Sequence, residues 1–219
     1  MQSKYREDNE GAIRNFEQAL RYMPNDDASM FELSEQYYNA GRMEDAFRMI
    51  QQAANLDPEN KWYLMRLGLF YRNLDQYEDY ISLYENLTKN YPDDPEMLSD
   101  LIDAYLITEK YDKALAKMDL LEKQIGQNEL ITEQRLNILK HQGNDKKLMV
   151  ELEKLTKENP ENPRYFRMLA QVYSDNGKEK EALKTYEKIK ELNPNDPYIN
   201  ISLLEFYEKN GDKEKAFNE

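Results

Sequence analysis

Cysteine is absent from the 219 residues, histidine and tryptophan occur once each, and there are only 7 glycines and 8 prolines. Without cysteine there is no disulfide, no thiolate nucleophile and no thiolate metal ligand. His141 is the only imidazole, so any Ser–His–Asp or Cys–His arrangement would have to be built on it. It stands beside Lys140 with no serine placed to meet it and reads as a solvated side chain. One histidine without cysteine also argues against zinc. No apolar run reaches the roughly 18 residues that a membrane-spanning helix needs. The first ten residues, MQSKYREDNE, are charged and lack the apolar centre of a secretion signal. The glycines are scattered singly, so no phosphate-cradling loop forms. Carboxylate pairs such as Asp93–Asp94 and Glu179–Glu181 read as helix caps and solvated faces. The expectation is therefore no enzyme: no catalytic residue, no cofactor and no metal.

What is present is charge and helix-forming residues. The chain is 33% charged and 40% hydrophobic, with a formal net charge of −13. Such composition suits a soluble helical protein. Its average field repels phosphates, so nucleic acid is excluded as the expected partner.

The order lies in the turns. Pro24, Pro58, Pro92, Pro160 and Pro194 are spaced by 34, 34, 68 and 34 residues, with Gly126 at the vacant place. Two residues beyond each stands Asp26, Asn60, Asp94, Asn128, Asn162 or Asp196. Asp and Asn are preferred N-caps. Pro95, Pro163 and Pro197 follow three of them, and proline suits the first helical position. Each motif ends one helix and starts the next. A second break falls midway, at Gly41, Gly143, Gly177 and Gly211, with Asp75 and Glu109 in the same place in two units. Glycine just beyond a helix takes the left-handed conformation that closes it.

Each 34-residue unit thus holds two helices of about 13–15 residues. In the first helix the apolar positions are 4, 7, 8 and 11, as in Phe166, Leu169, Ala170 and Tyr173. In the second they are 20, 24 and 27, as in Ala46, Ile50 and Ala53. One hairpin cannot bury such a stripe alone, whereas stacked neighbours can.

This pattern resembles the tetratricopeptide repeat (TPR) family. Leu67-Gly68-x-x-Tyr71 and Ala12-x-x-x-Phe16, followed by Pro24, match its landmarks. The resemblance covers essentially the whole chain. It implies an all-α, right-handed α-α superhelical solenoid of about six helix pairs, a single TPR solenoid over 1–219. Its units are 27–60, 61–94, 95–128, 129–162 and 163–196, with partial units 1–26 and 197–219. The stretches AANLDPENKWYL, LLEKQIGQNELI and LEKLTKENPENPRY are similar to large bacterial TPR proteins. Many of those are exported or attached to the cell envelope and lack an assigned activity. That likeness implies the periplasm or envelope, with the cytoplasm left open.

Departures from the pattern carry their own expectations. Tyr80 replaces the small residue usual at position 20, and Gly68 is the expected partner that makes room. Unit 129–162 is the weakest, with Thr132 and Arg135 at core positions. Looser packing or a bend is expected near 122–140. Residues 1–26 read as starting within a first helix, and DKEKAFNE as stopping inside a second. The expectation is a fragment of a longer chain, whose cut ends, Phe16 and Phe217 among others, pair end to end.

The TPR resemblance places a concave face along positions 2, 5, 9, 12 and 13 of the first helices. The candidate peptide-binding residues are Phe31, Glu35, Tyr38, Asn39, Trp62, Met65, Leu69, Arg72, Asn73, Asp103, Leu106, Arg164, Arg167 and Gln171, with Ile107, Asn137, Lys140, His141, Tyr198, Ile201 and Glu205 on the same rows. Trp62 and Tyr198 are equally readable as packing on a neighbouring turn. Chaperone-binding TPRs hold a C-terminal carboxylate with Lys at position 5 and Asn at position 9. Here position 5 reads Phe31, Met65, Ser99, Glu133, Arg167 and Ile201, so that clamp is not indicated. The expected function is a non-catalytic scaffold holding a peptide or protein segment. The alternatives are an accessory repeat region of a larger envelope enzyme or transport assembly, and a spacer without a groove ligand.

Overall fold

The computed structural model describes residues 2–194 and 197–211, with side chains described from Asn9 onward except at 197 and 198. Every regular element among them is a helix. They are α1 (Gln2–Tyr22), α2 (Asp27–Asn39), α3 (Met43–Leu56), α4 (Lys61–Asn73), α5 (Tyr77–Asn90), α6 (Pro95–Ile107), α7 (Tyr111–Ile125), α8 (Glu129–His141), α9 (Asp145–Glu158), α10 (Pro163–Asp175), α11 (Glu179–Leu192) and α12 (Pro197–Lys209). The first helices of the repeats begin at 27, 61, 95, 129, 163 and 197, as the turn motif predicts.

The caps explain those starts. Asn60, Asp94, Asn128 and Asn162 each accept a hydrogen bond from a first-turn backbone N–H, at 2.9–3.2 Å for the shorter contacts. Asp26 instead accepts from the Ser29 hydroxyl at 2.6 Å. Asp196 lies outside the described residues. The midway turns close by one recurring backbone motif. Arg42, Gln76, Lys110, Asn144 and Lys178 donate back to the carbonyls of Tyr37, Tyr71, Tyr105, Leu139 and Tyr173. This six-to-one bond forces the preceding residue into the left-handed region. Gly41, Gly143 and Gly177 take it, and so do Asp75 (φ 55°) and Glu109 (φ 56°). For a residue with a Cβ that conformation costs roughly 1–2 kcal/mol. Among the described residues before α2 there is no such turn. Glu7 occupies the corresponding place and α1 runs through it unbroken, with Gly11 inside the helix.

The helices divide into two compact units, Met1–Gln127 and Asn128–Glu219. The division falls within the 122–140 stretch where the repeat pattern weakens. In the first unit each helix from α1 to α7 packs on the next, and in the second each from α8 to α12 does so. The apolar positions of the repeat are the core. Ala46, Ile50 and Ala53 of α3, Ala114 and Met118 of α7, and Ala182 and Ile189 of α11 are fully enclosed. Burying each of the larger ones is worth about 1.5–3 kcal/mol.

Two departures resolve into specific packing. Tyr80 is buried and stacks on Tyr84, ring centroids 4.3 Å apart. The close neighbour of Gly68 is Tyr84, not Tyr80. A Cβ on Gly68 would lie 2.6 Å from Tyr84 Cε2 and 3.5 Å from Tyr80 Cε2. Gly68 thus makes room for the stacked pair through its inner ring. In α8, Thr132 and Arg135 do enter the core, at 3% and 6% exposure. Arg135 Nε lies 3.6 Å from Glu151 Oε1 of α9. A charge so enclosed needs such a partner.

A cross-repeat hydrogen bond recurs at a separation of twenty residues. Tyr37 donates to Glu17 at 2.7 Å, Tyr105 to Glu85 at 2.5 Å and Tyr173 to Glu153 at 2.7 Å. Tyr37 reaches back to α1, and Tyr105 and Tyr173 reach back to α5 and α9, the second helices of the preceding hairpins. Burial and then the carboxylate push the Tyr37 hydroxyl up to about 12. Burial and the Glu85 hydrogen bond likewise raise Tyr105. The Tyr105 and Lys113 hydrogen bonds hold Glu85 below the ordinary carboxylate value.

Candidate functional site

In the first unit the expected face is carried by α2, α4 and α6. Neighbouring helices are tied there by aromatic and ionic contacts. Phe31 of α2 packs on Tyr63 of α4 with ring centroids 5.1 Å apart. Tyr38 meets Phe70 edge-on at 5.7 Å. Arg66 of α4 pairs through Nε with Glu35 of α2. Its guanidinium lies 4.3 Å from the centre of the Tyr38 ring. Desolvation pushes the Glu35 carboxyl up, against the opposing pull of Arg66. Phe31, Glu35 and Tyr38 are therefore half-buried and partly occupied in holding the helices together.

Trp62 differs. It stands at the start of α4 with 69% of its surface exposed. Packing on the neighbouring turn is thus not what it does. Met65 and Leu69 are half-buried on the same helix, and Arg72, Asn73 and Asn39 are exposed. On α6, Leu106 is half-buried and Ile107 is 56% exposed. Arg72 reaches Asp100 at 3.7 Å. The Asp103 residue faces solvent, yet its carboxyl is pushed up by desolvation and then by the Asp100 charge.

The second unit is built differently. Arg164 of α10 hydrogen-bonds Glu133 of α8 and lies 4.0 Å from Glu129. Gln171 donates to Asp175 at 3.0 Å. Arg167 is half-buried, while Asn137, Lys140, His141 and Glu205 are exposed. Ile201 is exposed on α12, and the Tyr198 side chain lies outside the described residues. A cleft of about 670 Å³ lies among α9, α10 and α11, lined by Phe166, Leu169, Tyr173 and side chains of both charge signs. None of its lining residues belongs to the candidate peptide-binding rows. Phe16 packs against the core of the first unit, and Phe217 lies outside the described residues.

Sequence reasoning missed Arg66, Asp100 and Tyr63, which sit one position off the chosen rows. The signal was a separation of 31 residues, which brings Glu35 to Arg66 and Glu133 to Arg164 across adjacent repeats. Among the described residues no group of three or more His, Cys, Asp or Glu could hold a metal ion. No described helix is long and apolar enough to cross a membrane.

Comparison with known proteins fits this geometry. Residues 7–132 match the family described as the Psidin N-terminal TPR repeats region, and residues 127–194 match the bacterial transcriptional activator domain. No curated protein sequence matches at a significant level. Among solved structures, the Naa15/Naa10 complex bound to HypK-THB aligns over 92% of this chain with a TM-score of 0.66 and 18% identity. This chain spans 31% of that one. A tetratricopeptide repeat protein from Parabacteroides merdae aligns over 95% of this chain and 83% of its own, with a TM-score of 0.55 and 19% identity. YrrB, a TPR protein with an unusual peptide-binding site, aligns over 85% of this chain and 96% of its own, with a TM-score of 0.51 and 14% identity. These structures share the helical-repeat fold. With a family match across more than half its length, from within α1 to the start of α8, the chain belongs to the family of the Psidin N-terminal TPR repeats region, a tetratricopeptide-repeat family.

Proposed function

We propose that this chain is a non-catalytic scaffold that holds a peptide or extended protein segment on the α2–α4–α6 face of its first unit. The observation that carries this reading is Trp62, which is 69% exposed and stands beside the half-buried Met65 and Leu69. A large aromatic left in water gains most when a partner covers it. The peptide-binding site named for YrrB supports the reading by analogy of fold.

Trp62 is the only tryptophan, so its emission reports on this face alone. A ligand seated there shifts the emission to shorter wavelength and protects it from iodide quenching. The combined Phe31→Ala, Tyr38→Ala and Trp62→Ala variant loses capture of the partner by the intact protein. Unchanged capture by that folded variant would remove the reading and leave a spacer. The second reading is an accessory region of a larger multi-protein assembly. It is favoured by the likeness to part of a chain solved with Naa10 and HypK. Purification of the native complex separates the two, since an assembly co-purifies at fixed stoichiometry.

A further inference from the structure

The first unit's face carries both exposed apolar groups and uncompensated negative charge. Trp62 and Ile107 are exposed, and Met65, Leu69 and Leu106 are half-buried. Positions 2, 6 and 9 share a helical stripe, and on α2, α4 and α6 that stripe holds Glu32, Glu35, Glu96, Asp100 and Asp103. Its cations are already engaged. Arg66 is committed to Glu35, and Arg72 faces Asp100. Glu32, Glu96 and Asp103 form no salt bridge among the described residues. Desolvation raises the Glu35 and Asp103 carboxyls, and the Glu32 and Asp100 charges add to it against the pull of Arg66 and Arg72.

We propose that the α2–α4–α6 face is a docking surface for a cationic segment, one that alternates lysine or arginine with an apolar anchor. This rests on the groove reading above and adds the chemistry of the occupant. The anchor covers Trp62 and its flanking Met65 and Leu69. The basic side chains stand over Glu32 and Asp103, where each supplies the positive charge the face lacks. An acidic or phosphate-bearing partner meets repulsion at the same place, because like charges brought together raise the energy of the complex. A second copy of this chain is a poor occupant for the same reason, given a net charge of −13.

The test uses three synthetic dodecamers, three repeats each of Leu-Lys-Gly-Lys, Leu-Glu-Gly-Glu and Ser-Lys-Gly-Lys, titrated into the full chain. Trp62 emission and calorimetry are read at two salt concentrations. The expected result is that the Leu/Lys peptide shifts the emission and binds more tightly than either control. The Asp103→Asn/Glu32→Gln variant weakens it roughly threefold to tenfold, the range for two exposed charges. The Glu161→Gln/Glu187→Gln variant, altered in the other unit, leaves it unchanged. Tighter binding of the Leu/Glu peptide overturns the cationic assignment and leaves the groove reading intact. Equal binding of the Ser/Lys peptide, or equal loss in both charge variants, shows diffuse attraction to an acidic protein and overturns the assignment as well. If no peptide moves the emission, the occupant inference falls, and retained capture by the triple alanine variant then removes the groove reading too.

Discussion

The two units use the same hairpin and finish its outer rows differently. In the first, the first helices meet through rings: Phe31 on Tyr63, Tyr38 on Phe70, and Arg66 over Tyr38. In the second, α8 and α10 meet through Arg164 and its two glutamates. Rings that brace one another leave apolar edges to solvent, whereas an ion pair closes on itself. The same contrast runs through the interiors. The first unit fits Tyr80 and Tyr84 by shrinking Gly68, while the second admits Arg135 to the core and answers it with Glu151. A repeat thus tolerates an oversized or charged residue when a neighbour changes in step.

The largest expected effect breaks the first unit's compensation. Gly68→Ala places a methyl 2.6 Å from Tyr84 and costs about 1–3 kcal/mol. Tyr84→Leu in the same chain recovers most of that loss, and Tyr80→Ala recovers less. Urea unfolding of wild type, the three single variants and the two double variants measures both couplings, and equal recovery would return the contact to Tyr80. At the corresponding place in the second unit, Leu136→Ala destabilises by loss of volume alone.

Next in size is the second unit's buried charge. Arg135→Leu combined with Glu151→Gln restores the leucine that other repeats carry at Leu33, Leu67, Leu101 and Leu169. The double variant is expected to gain about 1 kcal/mol, since replacing a buried pair with apolar packing is often favourable. A fall in the thermal midpoint would show that the pair earns its place by orienting α8.

Tyr105→Phe removes a hydrogen bond to a carboxylate and costs roughly 1 kcal/mol. It also changes the response to acid. Glu85 has a folded-state value below its ordinary 4.5. Its contribution is therefore fully present above that value and lost as the pH falls through the lower one. The stability gap between wild type and Tyr105→Phe narrows on acidification. At the alkaline end Tyr37, raised from 10 to about 12, contributes stability below 10 that disappears as the pH rises through 12. A pH series of denaturation curves reads both limbs.

The smallest change sharpens the turns. Glu109→Gly relieves a left-handed backbone at φ 56° and is expected to gain up to about 1 kcal/mol. Gly143→Ala at the matching turn of the second unit loses a similar amount. Opposite signs at the two sites confirm that backbone conformation, not side-chain contact, governs this position.

Helix starts, turn positions and most of the core were legible because each depends on chemistry within one hairpin. A cap needs an Asx and a hydrogen-bond donor two or three residues on. A left-handed turn shows itself by glycine, and the register then located Asp75 and Glu109 without one. The lateral contacts were harder to read. Periodicity places Tyr80 and Tyr84 on one face of α5 but does not say which ring presses on Gly68. It marks Trp62 as lying on a row but leaves open whether a neighbour covers it. Arg66 went unnoticed because the expected rows came from the resemblance, whereas its partner is set by the 31-residue offset between adjacent first helices. The continuous α1 was hidden for a related reason: a degenerate hairpin and a single long helix share the same apolar stripe.

The phenol-to-glutamate bond has a consequence for the folding of the whole array. Linear repeat proteins behave as chains of coupled elements, in which order spreads only as far as each element stabilises the next. Tyr37, Tyr105 and Tyr173 act at those couplings rather than inside any hairpin. A wave of structure travelling along either unit is therefore handed on by a bond that only the next first helix can close.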